Sequence, residues 1–154
     1  MLNRKIQIKL ERGDYPTQLN TNGIKTINSI SIIDNGEGFN TINYSSFGTP
    51  HSFVNKQYGC KGIGRFTWLA AYEKVHISSN YKESDKWMYR EFLFDSIKEV
   101  EEIIEAKESN IHENKTVIVL KNCYNTIIKD RTAQSLEQIE QEIMKHCLIY
   151  IYGY

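Results

Sequence analysis

The stretch from Asn28 to Asn40, NSISIIDNGEGFN, restricts what this chain can fold into more than any other. Ile30, Ile32 and Ile33 are β-branched and suit a pleated, half-buried backbone, so the run up to Asp34 reads as a strand. The strand then stops abruptly. In Asp34-Asn35-Gly36-Glu37-Gly38, Asn and Gly tolerate positive φ and Asp can accept a bond from its own downstream backbone, which is turn chemistry. The same residues also describe a site: a carboxylate at the end of an apolar strand, flanked by two positions without side chains. The rest of the chain decides between the two.

Strand patterning dominates that remainder. RKIQIKL alternates Ile6, Ile8 and Leu10 with polar neighbours, the period of a half-buried strand, and should pair antiparallel with IKTINSISIID across a polar, turn-rich stretch from Glu11 to Gly23. A short helix capped by Asn40 or Thr41 fits Asn40 to Phe47. RFTWLAAYEK carries helix formers, while KVHISSNY and KWMYREFLFD alternate again as strands near residues 73–81 and 86–95. SIKEVEEIIEAKES fits a helix through Ile97, Val100, Ile103 and Ile104, and equally a charged edge strand. NKTVIVLKN, apolar around Val117 and Val119, reads as a central strand over 115–121. SLEQIEQEIMKHCLIYI places Leu136, Ile139, Ile143 and Leu148 on one helical face, with Ser135 and Gln138 spaced as a capping box.

A chain of 154 residues is one domain's worth, large enough to bury a core without disulfides or a structural metal. Its 19 basic and 19 acidic residues balance, so the overall charge proposes neither nucleic acid nor an anionic membrane as partner. Cys60, Cys123 and Cys147 are odd in number and widely spaced, which favours reduced thiols and a cytoplasmic location. No apolar run approaches the roughly 20 residues of a membrane-crossing helix.

Between the short helix and the next one lie seventeen residues, GTPHSFVNKQYGCKGIG, with four glycines. Loops of that length in a small domain are usually functional lids or disordered. The loop ends in GCKGIGRF, from Gly59 to Phe66, directly ahead of a helix. Closely spaced glycines let consecutive N–H groups converge on an anion, the helix N-terminus adds unpaired donors, and Lys61 and Arg65 supply charge, so the physical reading is a phosphate cradle. It is not a Walker loop, because Gly64 is followed by Arg65 and Phe66 instead of Lys and Ser or Thr. Nor is it the dinucleotide fingerprint, whose glycine order and position after a first parallel strand both differ. Nor is the first loop an EF-hand calcium loop, which needs further carboxylates or amides at alternating positions after Asp34, where position 36 is already Gly.

Together, DNGEGF and GCKGIGRF in this order resemble the D-x-G-x-G and G-x-G boxes of the GHKL superfamily of ATPases, the gyrase, heat-shock chaperone, histidine kinase and mismatch-repair group; KGIGRFTWLAAYEKV looks most like its bacterial ATP-binding members. NKTVIVL resembles the family's third strand motif, with Lys115 at the usual glycine. The resemblance spans roughly residues 30–120. It implies an α+β, two-layer α/β sandwich of Bergerat type, with a mixed, mostly antiparallel sheet, helices on one face, and a lid over about residues 47–61. It implies ATP as the ligand: Asp34 would accept from the adenine amino group, Gly36 would let the purine approach and Gly38 permit the next turn. Gly62, Ile63 and Gly64 would receive the phosphates with Lys61 and Arg65, and Thr116 would help hold the base. Phe39 and Phe66 complete the two boxes.

The chain departs from the family upstream. The family's helix with a water-activating Glu and an Mg2+-binding Asn has no counterpart: Glu11 stands in a strand end or turn, and Asn3, Asn20 and Asn22 lack helical context. The chain thus looks N-terminally truncated relative to the family, no residue is given a catalytic or metal role, and hydrolysis is expected to be weak or absent. A degenerate interaction module and a fragment of a histidine kinase catalytic domain are the alternatives, and a protein partner or homodimer could act through flanking regions. His51 in the lid, His76, His112 and His146 show no ligand spacing. Cys60 reads as a small lid residue, Trp68, Phe66 and Leu69 as packing, and Glu101, Glu102 and Glu105 as a solvated face.

Overall fold

The computed structural model describes residues 4–13, 23–50 and 64–152, with side chains through residue 145, and the described residues form six strands and four helices. The order is β1 (Ile6–Arg12), β2 (Ile27–Asp34), α1 (Thr41–Gly48), α2 (Phe66–Leu69), β3 (Tyr72–Glu83), β4 (Lys86–Asp95), β5 (Glu99–Glu108), β6 (Lys115–Cys123), α3 (Thr126–Arg131) and α4 (Leu136–Tyr152). The architecture is α+β. The strands form one sheet in the order β1-β2-β6-β3-β4-β5, and every pairing in it is antiparallel. β1 and β2 pair as the alternation indicated, and β6, apolar along its middle, lies between β2 and β3.

Register explains the core. Residues directly opposite in an antiparallel ladder share a face. Ile32, Ile118, Ile77 and Phe92 lie opposite one another across β2, β6, β3 and β4, and the next row on the same face is Ile30, Leu120, Val75 and Phe94. Val75, Ile77 and Phe92 are fully buried there, with Phe94 and Leu120 nearly so. Tyr44 and Phe47 of α1 and Trp68 and Leu69 of α2 pack on this face, so these two helices cover one side of the sheet. Phe39, Tyr44 and Phe47 meet Phe92 edge-on with ring centroids 5.0–5.5 Å apart, a favoured aromatic arrangement.

Several expectations need correction. The helix over RFTWLAAYEK is one turn, because Ala71 and Tyr72 are drawn into the core and β3 begins at Tyr72. SIKEVEEIIEAKES, open between a helix and a charged edge strand, takes the second form as β5, with only Val100 of its apolar residues packed on the core. The lid boundary at residue 47 falls inside α1: Phe47 is an anchored core residue, and residues 51–61 lie outside the described part. α4 has the capping box, with Ser135 N–H donating to Gln138 Oε1 (2.9 Å) and Gln138 N–H to Ser135 Oγ (3.3 Å). It does not complete the sandwich core through its described side chains, for Leu136, Ile143 and Met144 are exposed. α3 has no counterpart in the patterning, and Asn125 caps it by accepting from Ile128 N–H.

Candidate functional site

At one end of the apolar rows the same face turns polar. Asp34, Thr116, Ser79 and Arg90 lie directly opposite one another across β2, β6, β3 and β4, one level beyond Ile32, Ile118, Ile77 and Phe92. Asp34 and Thr116, 82 residues apart in sequence by their numbers, are therefore cross-strand neighbours. Thr116 and Ser79 are buried and share a hydrogen bond between Thr116 Oγ1 and Ser79 Oγ of 2.9 Å.

The loop after Asp34 is fastened to this row. Phe39 N–H donates to Ser79 Oγ at 3.0 Å, so a chain of bonds runs from the loop through Ser79 to Thr116, which stands opposite the strand end where the loop began. Gly38 makes the closure possible. Its φ is +70°, and a Cβ there would lie 2.7 Å from Ser79 Oγ and 2.8 Å from Tyr81 Cβ. The atoms that exclude a side chain at Gly38 are therefore the protein's own, and this glycine serves the fold of the loop.

Gly36 differs. Its N–H donates to Asp34 Oδ1 at 2.8 Å, and an added Cβ would lie 2.9 Å from that oxygen and near nothing outside Asp34. This bond holds the Asp34 carboxylate over the loop; its other oxygen, Oδ2, meets no hydrogen-bond partner among the described residues. Asp34 is half-buried while Asn35, Gly36 and Glu37 are exposed, so a ligand can approach the carboxylate from the loop side. A carboxylate with one oxygen fixed and one open, beside a backbone without Cβ, suits a ligand that presents an N–H donor on a flat edge.

α1, which follows the loop, is held at its N-terminus by the protein itself. Asn40 Oδ1 accepts from Asn43 N–H (2.9 Å), Glu83 accepts from Thr41 N–H and Thr41 Oγ1 (2.9 and 3.1 Å), and Asn43 Nδ2 donates back to Gly38 O (2.8 Å). Two of its first-turn donors, the N–H groups of Thr41 and Asn43, are thus engaged within the chain.

The other residues of the two boxes separate. Phe39 belongs to the aromatic core through Phe47 and Phe92. Gly64 starts the turn into α2, its carbonyl accepting from Thr67 N–H and Thr67 Oγ1. The Arg65 guanidinium stacks over Phe47 (5.1 Å) and Phe66 (4.6 Å); burial lowers its pKa, opposed by Glu99, and the stack turns its face toward the aromatic core. Phe66 is 5.7 Å from the Phe94 ring. Lys61, Gly62 and Ile63 lie outside the described residues. Among the described residues no group of three His, Cys, Asp or Glu side chains could hold a metal ion, and no helix is long and apolar enough to cross a membrane.

Ser79 and Arg90 were missed by motif reasoning. Ser79 occupies a core-facing position in Val75, Ile77, Ser79, Tyr81, and Arg90 does so in Phe94, Phe92, Arg90; a polar residue breaking an apolar period of two was the available signal. Arg90 is buried with its guanidinium 3.9 Å over the Tyr44 ring, and its Nε and Nη1 have no hydrogen-bond partner among the described residues.

No family model matches the chain, and no curated protein matches it. Among solved structures it is similar to the ATPase region of Saccharomyces cerevisiae topoisomerase II, with a TM-score of 0.45 and 12% identity over 68% of this chain. The chain spans about 30% of the length of that structure.

Proposed function

We propose that the chain is an adenine-nucleotide-binding module of GHKL type, with Asp34 as the acceptor for the exocyclic amine of the base. The observation that carries this reading is the direct opposition of Asp34 and Thr116, which brings the end of DNGEGF beside the threonine of NKTVIVL. The open Oδ2 of Asp34 and the side-chain-free Gly36 next to it support a planar amine-bearing ligand at that point. Thr116 would hold the base through the hydroxyl pair it forms with Ser79, which can reorient either proton toward a ligand. The Lys61 to Gly64 backbone would take the phosphates, with Arg65 contributing long-range charge from its stacked position. When bound, ATP with Mg2+ would supply the γ-phosphoryl chemistry; this chain's described residues bind and orient the base end and supply no assigned base or metal ligand, so we propose binding with weak or absent hydrolysis.

Calorimetric titration of the full chain with ATP, ADP and GTP tests the reading. Adenine nucleotides should bind and GTP should not, because the guanine edge presents a carbonyl where adenine presents its amine. Asp34→Asn should weaken ATP by about 1.5–3 kcal/mol, the range for a hydrogen bond to a charged group, with unchanged circular dichroism. A folded chain that binds no adenine nucleotide at millimolar concentration would instead favour a non-catalytic interaction module.

A further inference from the structure

The two edges of the sheet differ. β5 carries Glu99, Glu101, Glu102, Glu105 and Glu108 and shifts register twice against β4, features that discourage further pairing. β1 has no carboxylate and no register shift along Ile6 to Leu10, where Lys9 is its one charged side chain, and its one irregularity lies at Glu11 and Arg12. Among the described residues no strand lies beyond it.

The direction of the β1 backbone groups follows from its two ends. Asn35 N–H donates to Lys5 O, and Gly13 N–H donates to Thr26 O, so the odd-numbered residues direct their backbone groups at β2. The groups of Ile6, Ile8 and Leu10 consequently point outward, and their side chains share the core-facing side of the sheet, where Ile6 is 72% and Ile8 41% exposed.

We infer that β1 pairs antiparallel with β1 of a second copy of this chain, centred on Ile8. In that register Ile8 faces Ile8 of the partner and Ile6 faces Leu10, so apolar meets apolar and all outward N–H and C=O groups are satisfied. On the opposite side Lys5 meets Glu11 twice by symmetry, and Gln7 meets Lys9. Registers centred one residue to either side, on Gln7 or on Lys9, set Lys5 against Lys9, or Lys9 against itself, on the same face, where like charges repel. Arg4 and Arg12 would flank the pairing; Arg12 is already drawn back to its own chain by Lys25 O (2.6 Å) and Gln134 O (2.7 Å), which ends the interface there. The contact is isologous and closes as a twelve-stranded sheet. With strands ~4.8 Å apart and ~3.3 Å per residue, the two Asp34 Cα atoms come within roughly 20 Å of each other. The inference does not depend on the nucleotide reading.

Sedimentation velocity on the full chain over micromolar to millimolar concentration tests it, together with amide exchange. Wild type should show a monomer–dimer equilibrium, with exchange at the Ile6, Ile8 and Leu10 amides slowing as concentration rises. Lys5→Glu alone and Glu11→Lys alone should each raise the dissociation constant at least tenfold, and the double variant should return to within about threefold of wild type. Amide protection in wild type needs no variant, so a misfolded substitution cannot hide the answer. A monomer throughout the range, a dimer indifferent to the single charge reversals, a dimer without protection at those amides, or open salt-sensitive polymers joining β1 to the acidic β5 would each overturn the inference.

Discussion

Gly38→Ala should be among the most damaging single-methyl changes in the chain. A Cβ at this position would lie 2.7 Å from Ser79 Oγ and 2.8 Å from Tyr81 Cβ, and Tyr81 is fully buried with no room to retreat. Three costs combine. Holding an alanine at φ +70° costs about 1–2 kcal/mol. Forcing a methyl into packed atoms costs typically about 1–3 kcal/mol. Displacing Ser79 breaks its bond from Phe39 N–H, worth roughly 0.5–1.5 kcal/mol. These overlap, so about 2–5 kcal/mol is expected, or roughly 5–20 °C in melting temperature for a chain of this size. Gly36→Ala is the matched control: its φ lies outside the left-handed region and its Cβ meets only the Asp34 carboxylate, so it should cost under ~1 kcal/mol of stability while impairing the site. Urea unfolding followed by tryptophan fluorescence, with both variants compared at equal m-value, measures the difference. If Gly38→Ala unfolds within 0.5 kcal/mol of wild type, or no lower than Gly36→Ala, the assignment of the second glycine to the fold is wrong.

Four further outcomes follow from the same structure. Thr116→Val removes one member of the hydroxyl pair with Ser79 and should cost about 1–3 kcal/mol by denaturant unfolding, since Ser79 is left buried with a polar valence unmet. Arg90→Met should leave stability within about 1.5 kcal/mol of wild type or raise it, because a buried guanidinium with unbonded Nε and Nη1 is replaced by an apolar chain of similar length; a loss above 3 kcal/mol would mean that the cation–π contact with Tyr44 outweighs desolvation. Asp95 is held below its ordinary value of 3.8 chiefly by the backbone N–H groups of Lys98 and Ile97, so it stabilises the fold fully above that value and the effect is lost as pH falls through its lower folded pKa. The stability gap between wild type and Asp95→Asn should therefore be widest near neutrality and close in acid; a constant gap would contradict the linkage. Burial pushes the Cys123 thiol up, so mass spectrometry should find that cysteine unalkylated in native protein at pH 8 and labelled after unfolding.

What was legible in the sequence is what a two-residue period or a cap dictates. β1, β2, β3, β4 and β6 all carry alternation or β-branched runs, and the N-cap at Asn40 and the capping box at Ser135 mark helix starts because a side-chain acceptor there does local work independent of tertiary context. The helix after Arg65 was overestimated because helix formers such as Leu69, Ala70 and Ala71 are also good packing residues, and burial of Ala71 and Tyr72 against the sheet overrides propensity. β5 was ambiguous because an edge strand needs apolar residues on one side only, and Val100 alone is enough to dock it. Strand order was legible only in the β1–β2 pairing and the interior place of β6. Nothing local says that β6 inserts between β2 and β3, yet that insertion is what sets Thr116 opposite Asp34.

The candidate site shows why motif and fold must be read together. The family resemblance puts both glycines of DNGEGF in the binding box, Gly36 to admit the purine and Gly38 to permit the next turn. The structure separates them by what their absent Cβ atoms would strike: a flexible carboxylate at Gly36, the packed Ser79 and Tyr81 at Gly38. The second glycine lets the loop descend onto β3, where Phe39 both enters the aromatic core and bonds Ser79 through its backbone. That anchoring fixes the loop end, so the Asp34 carboxylate is positioned by a short turn clamped at both sides, from β2 behind it and from β3 below it. A carboxylate so held loses little further freedom on meeting a ligand, and under the proposed function that preorganisation would let one open oxygen select a base edge. Under the proposed function, stability and recognition would meet at the polar row: Ser79 bonds both the loop and Thr116, so a change at Ser79 should move both the unfolding midpoint and nucleotide affinity, whereas Asp34→Asn, which keeps an acceptor for Gly36 N–H, should move affinity alone.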